Sequence, residues 1–302
     1  MAPTARLVTI KVFADHGVEM ITDHAGWTGY HVNLRSHPDP STAPATELVV
    51  ALDGSFFAER SLEAADALAA ASGLPLRLVT VRPTPADIPS AESYLARVAR
   101  RTPRVRDLTV EVGSDVATSL AAAAADGALI VMATHARRAV GEVLFGSVAD
   151  EVLRAADRPV LLVGPNAGVP DPTFATIVLP EDGGPGGRRL RPHAQAWSEH
   201  LAAAAWVIQV VSSPGDIPST DGREAAHVKR VATSLGSSAG WEVLHGADPA
   251  EQIVDFAADR RSGLIALSVP ARHRVGPDVA GGVALQVVRH APCPVLALGP
   301  ER

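Results

Sequence analysis

The sequence holds a single cysteine, Cys293, so no intrachain disulfide can form. That cysteine stands in the apolar stretch Pro292-Cys293-Pro294-Val295-Leu296, where a buried, inert thiol is expected. Aromatic residues make up only 4% of the chain. Its cores must therefore be built from Ala, Val and Leu, which suits helices lying close on a sheet. Positive charge is not in excess: the formal net charge is −6, against the basic face that nucleic-acid binding needs. The densest basic run, Arg97, Arg100, Arg101, Arg104 and Arg106, reads as the solvated end of a helix and the loop after it. No run of about 18 apolar residues is present, and the N-terminus has no charged-then-apolar signal pattern. The expectation is a cytoplasmic protein with neither nucleic acid nor membrane as a partner.

What is present is a repeat. The chain has 302 residues, enough for two ordinary domains. Leu129-Ile130-Val131-Met132, a polar loop, Gly146-Ser147-Val148-Ala149 and Arg158-Pro159-Val160-Leu161-Leu162-Val163-Gly164-Pro165 follow one another. Leu264-Ile265-Ala266-Leu267, Gly281-Gly282-Val283-Ala284 and Cys293-Pro294-Val295-Leu296-Ala297-Leu298-Gly299-Pro300 repeat the pattern at a constant offset of 135. Leu48-Val49-Val50-Ala51-Leu52-Asp53-Gly54 and Ile177-Val178-Leu179-Pro180-Glu181-Asp182-Gly183 correspond at an offset of 129. The spacing predicts an N-terminal β arm and linker over 1–45, a first domain over 46–166 and a second over 173–300. The Pro- and Gly-rich segment 165–172 makes the boundary. In the arm, 6–14 and 18–22 flank the turn residues Asp15-His16-Gly17, and 36–44 is a Pro-rich linker.

Short apolar runs alternate with helical ones in each copy. The first copy reads strand 48–52, helix 58–71, strand 76–81, helix 92–101, strand 107–112, helix 116–125, strand 129–132, helix 148–155 and strand 160–163. The second reads helix 195–205, strand 206–211, helix 223–235, strand 240–244, helix 250–258 and strand 264–267. Strands apolar on both faces and separated by helices indicate α/β domains, each a doubly wound parallel sheet.

Ligands of such sheets bind beyond the carboxyl ends of the strands. Two loops of the first copy end there. One carries Asp53-Gly54-Ser55. The other starts Ala133-Thr134-His135-Ala136-Arg137-Arg138 and closes on Gly146-Ser147 before a helix, where free amides and a hydroxyl suit a phosphate. On Val-Ala-Leu-Asp-Gly-Ser at 50–55, Leu-Ile-Val-Met-Ala-Thr-His-Ala-Arg-Arg at 129–138, Gly-Ser-Val-Ala at 146–149 and Arg-Pro-Val-Leu-Leu-Val at 158–163, the first copy resembles the universal stress protein family. The whole chain resembles a tandem member, with an adenine nucleotide alpha hydrolase-like fold. ATP-binding members share a pattern of Gly, two residues, Gly, nine residues, Gly, then Ser or Thr. Ala133, Ala136, Gly146 and Ser147 keep that spacing and replace the first two glycines with alanine. The resemblance implies Asp53 facing ribose, Val81 meeting adenine, and Ala133, His135, Ala136, Arg137, Gly146, Ser147 and Val148 around the phosphates of ATP held with Mg2+. An alanine methyl excludes phosphate if it points at the ligand, and a forced left-handed alanine costs about 1 kcal/mol or more.

The second copy has Ser268, Ala271, Gly281 and Gly282 at the matching places, so the hydroxyl is missing, and Pro270 removes an amide donor. Gly183-Gly184-Pro185-Gly186-Gly187 beside Arg188, Arg189 and Arg191 reads as a flexible surface loop. The second copy is expected to be structural. His16, His24, His31 and His37 match no metal spacing and read as surface histidines, and no metal site is expected. Neither Ser55 nor Ser147 has a nucleophile-elbow context, and no catalytic residues are assigned. The resemblance implies a stress-associated regulatory protein that binds an adenine nucleotide in domain 1 only. A nucleotide-independent scaffold and a slow ATPase are the alternatives. Its expected partners are an unidentified protein and either a second copy of the chain, as a homodimer, or its own second repeat, as an intramolecular pseudo-dimer. For the latter, the strands 160–163 and 295–298 are placed to pair within one chain.

Overall fold

The computed structural model describes residues 44–124, 127–134, 138–139, 142–143, 146–168, 174–211, 221–236, 238–270 and 282–301. The expected β arm and its four histidines lie outside the described residues. From Pro44 onward the chain forms a compact unit.

The first repeat runs β1 (Leu48–Ala51), α1 (Phe56–Glu59), α2 (Ser61–Ser72), β2 (Leu76–Arg82), α3 (Ile88–Ala99), β3 (Val105–Val112), α4 (Val116–Ala123) and β4 (Leu129–Ala133). A two-residue hairpin, β5 (Arg138–Ala139) with β6 (Glu142–Val143), precedes α5 (Ser147–Ala155) and β7 (Val160–Val163). The second repeat runs β8 (Thr176–Pro180), α6 (Pro185–Leu201), β9 (Ala204–Val211), α7 (Asp221–Leu235), β10 (Gly240–His245), α8 (Pro249–Asp259), β11 (Leu264–Ser268), α9 (Val283–His290) and β12 (Val295–Leu298).

Local chemistry sets these elements. The apolar positions of α2, Leu62, Ala65, Leu68 and Ala69, recur at three- and four-residue spacing and are all buried. α2 stops at Gly73, whose φ of 72° is left-handed. Asp115 caps α4 by accepting from the Thr118 amide at 3.0 Å. Asp248 caps α8 in the same manner, accepting from the Ala250 amide at 2.9 Å, with Pro249 as the first helical residue.

Two expected helices are redrawn. The single helix expected over 58–71 is two, α1 and α2, with Arg60 between them. The helix expected over 195–205 starts ten residues earlier, at Pro185, and ends at Leu201; Ala204 and Ala205 belong to β9. Pro192 is carried inside α6, and Gly186 and Gly187 lie in its first turn, so only Gly183 and Gly184 of the glycine run lie in a loop. Helical propensity argues against all three residues. Packing decides otherwise: a Cβ on Gly186 would stand 2.6 Å from Ser268 Oγ, and one on Gly187 2.9 Å from Glu181 Oε2. Only glycine lets α6 start this close to the ends of β8 and β11.

All ten long strands join one sheet in the order β10-β9-β8-β11-β12-β7-β4-β1-β2-β3. Each repeat contributes five parallel strands in the same order, its first strand between its second and fourth. The halves meet where β7 and β12 pair antiparallel, Leu161 opposite Leu296. The intrachain pairing of these strands expected from the sequence is thus present. The four strands nearest the join are buried on both faces. One face packs on α2, α3, α6 and α7 through Leu68, Leu95, Trp197 and Val228. The other packs on α4, α5, α8 and α9 through Leu120, Val152, Phe256 and Val288. Each repeat is therefore a helix–sheet–helix sandwich, doubly wound as expected.

Contacts across the join obey the repeat. Gly164, after β7, meets the Val288 carbonyl of α9, and Gly299, after β12, meets the Leu153 carbonyl of α5. Within each repeat, Arg60 donates to the Pro165 carbonyl at 2.9 Å, and Arg189, 129 residues later, donates to the Gly299 carbonyl at 3.2 Å. His200 of α6 bonds the Ser72 carbonyl at the end of α2, at 2.9 Å.

Candidate functional site

In each five-stranded half, the crossovers from the first strand run on one face and those from the fourth strand on the other. The gap between β1 and β4 is consequently a topological switch point, the place where open parallel sheets bind ligands. The loops leaving it are the ones that carry Asp53 and the span from Ala133 to Ser147.

The β1 loop is a tight turn. The Ser55 amide donates to Asp53 Oδ1 at 2.8 Å, and Ser55 Oγ accepts from the Ala58 amide at 3.1 Å, capping α1. Gly54 takes φ 94°, which permits the turn. Asp53 is exposed beyond the carboxyl end of β1. Its carboxylate keeps one oxygen clear of the turn, available to a hydroxyl or a cation. Beside the turn stands Tyr94 of α3, whose phenol is pushed up to about 12 by burial and then by the Glu59 and Asp53 carboxylates.

Below the loop is an apolar wall. Ala51, Val81, Val116 and Val148 are half-buried on the face that also holds Val49, Val79 and Met132. Val81 sits near the carboxyl end of β2, two strands from β4. Such a wall suits the flat face of a base.

The second loop ends in a donor array. Gly146 is the N-cap of α5, with φ 105° and ψ 142° and no side-chain capping bond. The following amides of Ser147 and Val148 open the helix, and Ser147 is exposed. An uncapped helix start is suited to an anion. Ala133 belongs to β4, opposite Val163 of β7, and does not take positive φ. Its backbone is ordinary extended strand, so alanine costs no conformational strain there. His135, Ala136 and Arg137 lie outside the described residues. Of the sequence-derived set, Asp53, Val81, Ala133, Gly146, Ser147 and Val148 therefore stand at the carboxyl end of the first repeat's sheet.

The second repeat has the same skeleton with different chemistry. The Gly184 amide donates to Asp182 Oδ1 at 2.7 Å, matching the turn at Asp53, and Gly183 takes φ 75°. α9 starts at Val283, so an exposed valine replaces the serine hydroxyl. Gly282, not Gly281, is its N-cap, one residue later than the constant offset places it. The three arginines beside the glycine run are all committed. Arg188 donates to the Gly183 carbonyl at 2.8 Å and Arg189 to Gly299. Arg191 makes a bidentate pair with Glu181 at 2.7 and 2.8 Å.

That pair is a feature sequence reasoning missed. Glu181 matches Leu52 of the first repeat but is a carboxylate with a fully buried side chain. Arg191 satisfies both oxygens, and the neighbouring Glu181 raises the Arg191 pKa further. His227 Nε2 of α7 lies 3.8 Å from Glu181 Oε2. The signal was legible as a charged residue at the end of an apolar strand, Pro180-Glu181. Its partner ten residues on was hidden by the misplaced start of α6.

The universal stress protein family model matches the chain twice, over residues 45–164 and 174–299. A universal stress protein of Methanocaldococcus jannaschii is 29% identical over 140 residues, covering 41% of this chain and 82% of that protein. The solved structure of a universal stress protein from Archaeoglobus fulgidus superposes with a TM-score of 0.62 at 17% identity, covering 84% of this chain and 98% of that one. A functionally unknown protein from Pseudomonas aeruginosa gives 0.57 at 16%, covering 87% and 95%.

Proposed function

This chain belongs to the universal stress protein family, and from that premise we propose that it is a stress-associated regulatory protein binding an adenine nucleotide in its first repeat. Membership of the family supports the stress-associated role. ATP with Mg2+ is the ligand proposed. Adenine lies on the Val81 wall, ribose at Asp53, and phosphates at the amides of Ser147 and Val148 with the Ser147 hydroxyl. The reading assigns His135, Ala136 and Arg137 to the phosphates by the family pattern, and the Asp53 oxygen outside the turn bond to the metal–nucleotide complex.

The observation that carries this reading is the uncapped start of α5 at Gly146-Ser147, across the switch point from Asp53. The extended backbone of Ala133 removes half of the objection raised by the two missing glycines. No described side chain is arranged as a general base beside Asp53, so binding, not turnover, is the activity proposed. The second repeat, with Val283 at its helix start, serves as the structural half of the pseudo-dimer. The boundaries 46–166 and 173–300 divide these roles.

Calorimetric titration of ATP with Mg2+ into wild type, Asp53→Ala and Ser147→Ala tests the proposal. One nucleotide per chain, weakened by both substitutions, is expected. No heat at millimolar ATP with folded protein, and no nucleotide released on denaturation, overturns it in favour of a nucleotide-independent scaffold. That second reading draws on Ala133 and Ala136 standing where the ATP-binding pattern has glycine.

A further inference from the structure

β2 ends on Arg82, one residue beyond Val81. Strand alternation puts its side chain on the side of Leu78 and Thr80, away from the base wall. The guanidinium nevertheless returns to the β1 turn. Nη1 donates to the Asp53 backbone oxygen at 3.3 Å, and Nη2 lies 3.5 Å from where a Cβ on Gly54 would be. Arg77, Arg97, Arg101 and Arg104 of this repeat each pair with a carboxylate: Glu47, Glu59, Glu59 and Asp66. Among the described residues no carboxylate pairs with Arg82, although it is half-buried.

A purely structural role would be to hold the turn. The second repeat shows that such a turn needs no cation from this strand position. Its strand β9 ends on Val211, which takes the place of Arg82: the Gly246 amide donates to the Val211 carbonyl as the Gly113 amide does to that of Arg82. The turn at Asp182 closes with valine there, supported instead by Arg188 on the next carbonyl. The cation on the Asp53 carbonyl belongs to the repeat with the exposed Ser147 helix start and is missing from the other.

A carboxylate alone at a ribose favours free hydroxyls and repels phosphate. A guanidinium on the same turn reverses this, offering paired N–H donors to phosphate oxygens. Dinucleotide sites separate the two chemistries: an acidic residue takes a free ribose hydroxyl, and a nearby arginine accommodates a phosphate on it. We propose that Arg82 makes the first repeat selective for adenine nucleotides phosphorylated on the ribose 2′- or 3′-hydroxyl. The inference rests on the proposed nucleotide site, with Asp53 at the ribose.

Adenosine 2′,5′-bisphosphate and adenosine 3′,5′-bisphosphate are titrated against AMP and ADP at fixed ionic strength, with full-length wild type and Arg82→Gln. ADP matches the bisphosphates in phosphate number and differs in where the second phosphate sits. One bisphosphate is expected to bind about tenfold or more tightly than either control. Arg82→Gln should abolish that preference, leave AMP affinity unchanged and keep the wild-type melting temperature. Arg82→Lys, which keeps the charge without the fork, should retain part of it. Equal affinity for AMP, ADP and both bisphosphates overturns the selectivity and leaves the nucleotide site standing. So does a preference that survives Arg82→Gln. Silence from all four ligands overturns the selectivity, and silence from ATP with Mg2+ as well overturns the nucleotide reading with it.

Discussion

Gly164 lies so close to the Val288 carbonyl that a Cβ built on it would stand 1.9 Å from the oxygen. The contact crosses between the repeats and is duplicated by Gly299 on Leu153, at 1.8 Å. Gly164→Ala must therefore push α9 off the end of β7. The expected cost is about 3 kcal/mol or more, read as a lower midpoint in urea. Gly73→Ala is the control: left-handed, with open space around the missing Cβ, it should cost only about 1 kcal/mol.

Arg191→Met strands the buried Glu181 carboxylate and should cost about 3 kcal/mol by denaturant titration. Glu181→Leu in the same chain copies Leu52 of the first repeat. The double variant should recover most of the loss. A double variant as unstable as Arg191→Met would mean that the pair does more than fill space.

Ala133→Gly restores the first glycine of the ATP-binding pattern. Because Ala133 is extended and paired with Val163, the glycine gains no needed conformation. Nucleotide affinity should stay within about twofold, while stability falls by about 0.5–1 kcal/mol. A large gain in affinity would show that the methyl, rather than the backbone, was the obstacle.

His193 of α6 has its pKa lowered, first by burial and then by Arg158 and Arg189. A lowered histidine binds fewer protons folded than unfolded. The stability it supports is therefore present above its unfolded pKa near 6.5 and lost as pH falls towards the folded value. His193→Gln should flatten the urea midpoint against pH between about 6.5 and 5 relative to wild type.

Cys293 is buried, and burial pushes its thiol up to about 12. A raised thiol pKa favours the folded state below the unfolded pKa, and that contribution is lost as pH climbs towards 12. A disulfide reagent at pH 8 should leave the folded protein unlabelled and react stoichiometrically in denaturant. The rate of labelling then reports opening of the β12 end of the sheet.

The repeat, the parallel strands and the inert cysteine were legible because they rest on apolar periodicity and on an offset that any reader can count. The start of α6 was not. Gly186, Gly187 and Pro192 are poor helix formers, and what overrules them is the close approach of Ser268 and Glu181, residues distant in sequence or hidden inside a strand end. The candidate site was half legible. Asp53, Gly146 and Ser147 announced themselves through motif chemistry. Arg82 did not, because strand alternation assigns it to the wrong face and only the folded turn brings its guanidinium back to Asp53.

The antiparallel seam of β7 and β12 gives the molecule a dimer interface written into one polypeptide. Mass action has no hold on it: dilution that would split a two-chain relative leaves this seam at a fixed, high local concentration. Each half is also guaranteed a companion that is not its copy. A mutation in one half need not appear on both sides of the seam. Glu181, Val283 and Val211 can thus stand on one side where Leu52, Ser147 and Arg82 stand on the other.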